Sequence, residues 1–335
     1  MRGHMTTPLR RRQLLACLAA PGLLGTGLHA AAQARAAFPA RAVTLVVPFT
    51  PGSGSDTIAR LIGPHLAAKW GQPVVVDNKP GASGAMGAQA VARAEPDGHT
   101  LLMAINTHTM TPAVQASQPY DAARDFAAVA KLAEANFVLA VNPALPVQDV
   151  ASLVALAKGR PGKLNYATPG NGTPHHLAME LFKADQGVFV VHVPYRGIAN
   201  ATTDLISGQV DMMFGSVPSL RTQIQAGRVK ALAVTGEKRS DLLPAVRTFR
   251  EQGFPAMDAV DAWYAVLAPA RTPADLVQRL NRDFVEAMNR ADVQAELAKQ
   301  GLRVSTGTPA QMGALINTDI ARWKGVVKRA GITAD

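Results

Sequence analysis

Aromatic side chains are scarce in this sequence: Phe, Trp and Tyr make up 5% of 335 residues. Proteins that stack bases on aromatic platforms need more of them. No basic cluster or nucleic-acid reader motif follows position 36, so nucleic acid is not an expected partner. Cysteine is scarcer still. Cys17 is the only one, which leaves no intrachain disulfide and no cysteine-built metal site. No G-K-[ST] occurs, so there is no P-loop, and no G-x-S-x-G occurs, so there is no nucleophile elbow. "GSGSDT" has Thr57 where a dinucleotide fingerprint needs its third glycine. After the first 36 residues no apolar run is long enough to span a bilayer.

The chain does hold 48% apolar residues, enough for a packed globular protein, and its length suits two domains. The net charge is +10, but the first 36 residues carry five arginines and no acid, leaving about +5 elsewhere. That first segment reads as an export signal. Arg10, Arg11 and Arg12 precede the uncharged stretch "LLACLAAPGLLGTGL", and small residues offer cleavage after Ala34 or Ala36. "RRQLL" also resembles a twin-arginine signal, so the Sec and twin-arginine routes both stay open. Cys17 sits too near the arginines to end a lipoprotein leader. The mature protein is expected in the periplasm, starting near residue 37.

From there, short β-rich runs alternate with amphipathic helical stretches. The runs begin at Val43, Pro73, Thr100, Phe137, Lys163, Val191, Val210, Lys230 and Trp263. This order predicts an α/β fold with parallel strands and crossover helices. After "WYAVLAP" the tail is nearly all helix and must pack on a sheet already made. Both chain ends therefore belong to one lobe, 37–136 plus 262–335, and 137–261 forms the other. A cleft between two such lobes is where a small ligand binds.

Four loops share one form: "PFTPGSG" from Pro48, "NKPGASGAMGAQA" from Asn78, "NTHTMTP" from Asn106 and "ATPGNGTPHH" from Ala167. Each ends a predicted strand and starts a helix, the edge where open α/β sheets take ligands. Glycine lets backbone approach a ligand, and free N–H groups at a helix start favour an anion. One such loop is ordinary chain reversal; four in an exported two-lobed chain point to carboxylate binding. Catalytic readings are thin. His175 and His176 diverge on a helix, and His176 with Glu180 reads as a helix-terminal pair before a metal site. His192 reads as a satisfied core or rim residue, and Asp56 as a first-turn acid that positions its loop from behind. Arg196 follows a strand and can face an anion. Trp263 reads as a packing anchor.

"VTLVVPFTPGSGSDTIARLI", "GQPVVVDNKPGASGAMGAQAVARAEPDGHTLLM", "PGKLNYATPGNGTPHHLAMELF", "VHVPYRGIANATTDLISGQVDMMF" and "AGRVKALAVTGEKRS" together resemble the Bug family, the substrate-binding receptors of tripartite tricarboxylate transporters. The likeness runs in order from about Phe38 to Asp335. It implies a two-lobed periplasmic binding protein of the Venus-flytrap, type II-like kind, each lobe a mainly parallel sheet flanked by helices. The family's first two loops bind one carboxylate through backbone N–H groups and waters. Carried over, loop one is Phe49, Gly52, Ser53, Gly54 and Asp56, and loop two is Gly81, Ala82, Ser83, Gly84 and Gly87. Loop three maps to Asn106, Thr107 and Thr109, and the second lobe's loop to Thr168, Gly170, Asn171, Gly172, Thr173 and His175.

The departures from the family pattern are informative. Many members read "PFPAGG" where this chain has "PFTPGSGSD". Many carry Asp after "MMF", where Gly215 and Ser216 stand here. Without a counter-charge a buried ammonium is costly, and Gly215 is expected to leave room. A di- or tricarboxylate or an aromatic acid is therefore expected over an amino acid. No cofactor and no metal are expected. The expected partners are that ligand and the transporter's membrane subunits, with the receptor a monomer. A ligand-sensing module for a membrane sensor and an exported hydrolase or isomerase are the competing readings. Ser83→Pro is expected to remove one loop-two donor.

Overall fold

The structure, a computed structural model, describes residues 38–115, 117–195 and 197–332. The expected leader, 1–36, and Arg196 lie outside the described residues.

The first three strand–helix units run β1 (Val43–Val47), α1 (Gly54–Trp70), β2 (Val74–Asn78), α2 (Ala85–Ala92), β3 (Thr100–Ile105) and α3 (Thr107–Val114). Strands β4 (Phe126–Ala135) and β5 (Phe137–Val141) follow with one residue between them. Then come α4 (Val150–Gly159), β6 (Asn165–Thr168), α5 (Pro174–Gln186), β7 (Val191–Pro194), α6 (Ile198–Ser207), β8 (Met212–Ser216), α7 (Val217–Gln225) and β9 (Lys230–Val234). The chain ends β10 (Ala262–Pro269), α8 (Ala274–Met288), α9 (Ala291–Lys299), β11 (Arg303–Val304) and α10 (Pro309–Ala330).

These strands build two sheets, ordered β11-β4-β10-β3-β1-β2 and β7-β6-β8-β5-β9. In each, a central strand has parallel neighbours on both sides: β1 between β2 and β3, and β6 between β7 and β8. The α/β class and two-lobed form read from the sequence are therefore those of the structure. The strands are not all parallel, however. β10 runs antiparallel to β3 and β4, and β5 antiparallel to β8 and β9. The reason is where the chain crosses. Ala135 leads through Asn136 into Phe137, which pairs with Ser216 at the end of β8. Asp261 leads into β10, where Tyr264 pairs with Ile105 at the end of β3. Each crossing strand enters at the C-terminal edge of the parallel strands and must run back against them. Both crossings thus lie beside the loops that leave those edges.

Two strands and one docking were not legible in the sequence. β4, "FAAVAKLAEA", is rich in helix formers, yet it is held between β10 and β11 and its inward side chains are buried. The two-residue β11 carries no pattern at all. Helix α10 departs from the expected tail. It opens with a Thr308–Gln311 capping box and Pro309 and ends at Gly331 with φ 63°. Its Met312 and Ile316 pack with Leu102 and Trp263 of the first sheet, as expected. Its far half does not stay there: Trp323, Val326 and Val327 enter the core of the second sheet with Leu177, Phe182 and Phe214. The apolar stripe of a helix about 33 Å long is simply longer than one lobe can cover.

Trp323 is 1% exposed and its indole N–H has no partner among the described residues. Trp323→Ala should cost about 3–5 kcal/mol in urea unfolding. Trp323→Phe should cost less than half of that, because it also discards an unpaired donor.

Candidate functional site

Loop one is shaped from behind. Ser53 caps α1, its hydroxyl accepting from the Asp56 N–H at 3.4 Å. Asp56 is 2% exposed, and its carboxylate accepts from Gly52 N–H at 2.9 Å, Asn78 Nδ2 at 3.0 Å and Arg60 Nε at 2.9 Å. Burial works against its ionisation, but the bonds from Arg60, Gly52 and Asn78 outweigh it and hold its pKa below the ordinary carboxylate value. Asn78 Nδ2 also donates to Phe49 C=O at 3.0 Å, tying the loop to the end of β2. Gly54 lies flush on Tyr264: a Cβ there would sit 2.5 Å from the phenol oxygen. Asn78 and Tyr264 are the residues that reading by loops missed. Alternation along "WYAVLAP" was the available signal for Tyr264. Trp263 turns to Asp319, 2.7 Å from its indole nitrogen, so its neighbour faces the other way, toward α1.

Loop two is a run of left-handed backbone. Gly81, Ala82, Ser83 and Gly84 have φ of 136°, 47°, 54° and 95°. Two consecutive non-glycine residues there are a local strain, and such turns gather backbone N–H groups on one side as an anion nest. Proline cannot reach a φ of 54°, so Ser83→Pro would refold the loop instead of deleting one donor. Loop two rests on loop one: Gly84 would place a Cβ 3.3 Å from the Phe49 ring, and Gly87 one 2.8 Å from Pro48. Loop three joins them. Pro48, Ser83, Gly84, Thr107, His108 and Tyr120 share a cavity of about 10 Å3, room for one water. Asn106 is 2% exposed, and its Nδ2 has no partner among the described residues. Thr109 is fully buried, its hydroxyl turned back to the Asn106 carbonyl at 2.9 Å.

The second lobe's loop meets loop three's helix: a Cβ on Gly172 would sit 2.7 Å from Val114 Cγ1 of α3. Thr173 caps α5, with its hydroxyl donating to Gly170 C=O at 2.8 Å, while Thr168 lies buried beneath. Asn171 is exposed at the tip. His175 stands edge-on to Phe137 at 5.1 Å, and its Nδ1 is buried without a partner among the described residues. Ser216 caps α7 beside the crossing at Asn136. Gly215 overturns one expectation. It is buried, and a Cβ there would fall 2.5 Å from Leu220 Cδ1. It leaves no room for a bulkier ligand, because α7 fills the space.

His176 Nε2 lies 3.9 Å from Glu180, which also takes Tyr166 and Lys183, so this carboxylate is engaged within the fold. A second opening, about 860 Å3, is lined by Lys131, Glu134, Asp261, Arg303, Asp319 and Arg322 among others. Its charges largely answer one another, Lys131 to Glu134 at 2.6 Å and Arg322 to Asp319 at 2.5 Å, and none belongs to the four loops. Burial pushes Asp261 up to about 7, against the pull of its bond from Thr235.

Burial also pushes His108, His175 and His192 down to about 4. Unfolding lets these rings take up protons, so their share of stability is present above about pH 6.5 and lost as pH falls toward 4. Asp261 acts oppositely, its share being lost as pH rises from its ordinary value toward 7. His176 is held down too and Asp319 is held up, so four rings stand against two acids: stability in urea should rise from pH 4.5 to 6.5, and Asp261→Asn should steepen the rise. A flat or falling profile would show that these rings are not held neutral.

A family model described as the tripartite tricarboxylate transporter family receptor matches residues 58–332. The protein BugT of Bordetella pertussis is 35% identical over 296 residues, 88% of this chain and 90% of that protein. Among solved structures, Rpa4515 of R. palustris with adipate superposes with a TM-score of 0.72 at 36% identity, covering 88% of this chain and 99% of that one. MatC of Rhodopseudomonas palustris with bound malate gives 0.69 at 33% identity, covering 87% and 100%. The chain belongs to the tripartite tricarboxylate transporter receptor family, the periplasmic solute-binding proteins that include the Bug receptors.

Proposed function

We propose that the protein is an exported receptor that closes two lobes, 37–136 plus 262–335 and 137–261, on a small carboxylate. It then hands the ligand to the membrane subunits of a tripartite tricarboxylate transporter. One observation carries this reading. Asp56 is the sole acid in the four loops, and its carboxylate is buried and already bonded. A ligand carboxylate there meets donors without a competing charge. The donors are backbone N–H groups at the starts of α1, α2, α3 and α5, helped by the helix dipoles and by Asn106 Nδ2. Asp56 serves as the loop's anchor, not as a ligand contact.

The preference for a ligand without an amine rests on the same observation and no longer on Gly215. An ammonium in these loops would find no unengaged carboxylate. The solved relatives hold adipate in one case and malate in another, both without an amine. The site holds its solute without turning it over. His175 is kept neutral, and its pairing is with Phe137, not with an acid.

A thermal-shift screen of residues 37–335 against mono-, di- and tricarboxylates, aromatic acids and acidic amino acids tests the reading. Non-amino carboxylates should raise the melting temperature. Gly54→Ala, which drives a Cβ into Tyr264, should weaken binding by about tenfold or more. A shift with aspartate or glutamate alone would contradict the ligand class, and no shift with any acid would contradict the receptor reading.

A further inference from the structure

The second lobe's loop rests on two stacked imidazoles. His176, on the first turn of α5, and His192, on β7, lie ring on ring with centroids 4.0 Å apart, and Tyr166 of β6 stacks on His192 at 4.8 Å, with its ring 6.3 Å from that of His176. Each ring holds the loop. Gly172 N–H donates to His176 Nδ1 at 3.0 Å, and Thr168 Oγ1 lies 2.7 Å from His192 Nε2. The first bond has one direction. A backbone N–H can only donate, so Nδ1 must be unprotonated and the ring's proton sits on Nε2, toward Glu180. The second bond can reverse, because a hydroxyl both donates and accepts.

We propose that His176 and His192 are positioning residues that hold loop 168–173 in its binding form while His176 is neutral, and that acid releases the ligand by protonating His176 Nδ1. The proposal rests on the reading that this loop binds carboxylate. A proton on Nδ1 turns an acceptor into a donor facing the Gly172 N–H, and the loop must move. The groups facing the pair are Glu180 and Lys183 on α5 and Tyr166 on β6, with Lys183 lying 5.3 Å over the Tyr166 ring. Glu180 draws the proton toward His176. Burial and Lys183 oppose it, so the switch falls below the ordinary histidine range. Two charged rings in one stack repel, and the repulsion falls on His192, which protonates after His176.

Calorimetric titration with adipate and with malate between pH 7.5 and 4.5 tests this. His176→Asn puts an amide oxygen where Nδ1 was and cannot titrate. His176→Leu removes the acceptor, and His192→Gln removes the second ring. The natural protein should lose about tenfold more affinity on acidification than His176→Asn, which shares the ligand's own titration. His176→Leu should bind weakly at every pH, and His192→Gln, which removes a ring that stays neutral over this range, should leave the pH of the loss where it is. Parallel loss in the natural protein and His176→Asn would overturn the proposal. If neither acid binds at pH 7.5, the carboxylate reading fails for these probes, and amide exchange decides the switch. The Gly172 N–H should lose protection as the pH falls below the ordinary histidine range in the natural protein and keep it in His176→Asn. Equal protection in both would overturn it.

Discussion

The binding site proposed here, made of backbone N–H groups, depends on a group behind those donors to hold its shape, and that is the buried carboxylate of Asp56. It accepts from Gly52, Arg60 and Asn78 at once. Asn78 in turn holds the Phe49 carbonyl, and Phe49 supports Gly84 of loop two. One carboxylate therefore sets the register of loop one on β2 and, through Phe49, the seat of loop two. Its negative charge is answered by Arg60, whose own side chain is half exposed. The same charge placed on the cleft side would repel the ligand proposed for it.

The topology supplies the rest. Each sheet's antiparallel strand is the one arriving from the other lobe, so both crossings sit at the edges where the parallel strands end. Loops that leave those edges face one another across the hinge without further design. Helix α10 complicates the simple picture of two bodies on two threads. With Met312 in one core and Trp323 in the other, it is a strut that any lobe motion must bend or slide. The closure proposed for this receptor would then be shear along a packed helix as much as rotation about Asn136 and Asp261.

Much of this was legible in the residues. Glycine with serine or threonine between an apolar run and a helix start marks loops one and two and the Thr168–Thr173 loop, and Asn106 with Thr107 and Thr109 marks loop three. What stayed hidden depended on tertiary neighbours. β4 is a strand because β10 and β11 flank it, against its alanine-rich composition. Gly215 looked like open space because a missing side chain does not reveal what fills its place; Leu220 does. Tyr264 escaped because its role is to meet a glycine more than 200 residues earlier in the chain, a pairing no local pattern encodes. The imidazole stack was hidden likewise: His176 was readable as one of a helix-terminal pair and His192 as a satisfied core or rim residue, but not as each other's partners.

The central claim is that backbone donors of both lobes capture one carboxylate together. Following the amide resonances of Gly52, Gly54, Gly84, Gly170 and Gly172 while titrating a dicarboxylate tests it most directly. The account predicts that all five move together and saturate at one ligand per chain. Shifts confined to the surroundings of Lys131, Arg303 and Arg322, with the loop glycines still, would place the ligand in the charged opening instead and contradict it.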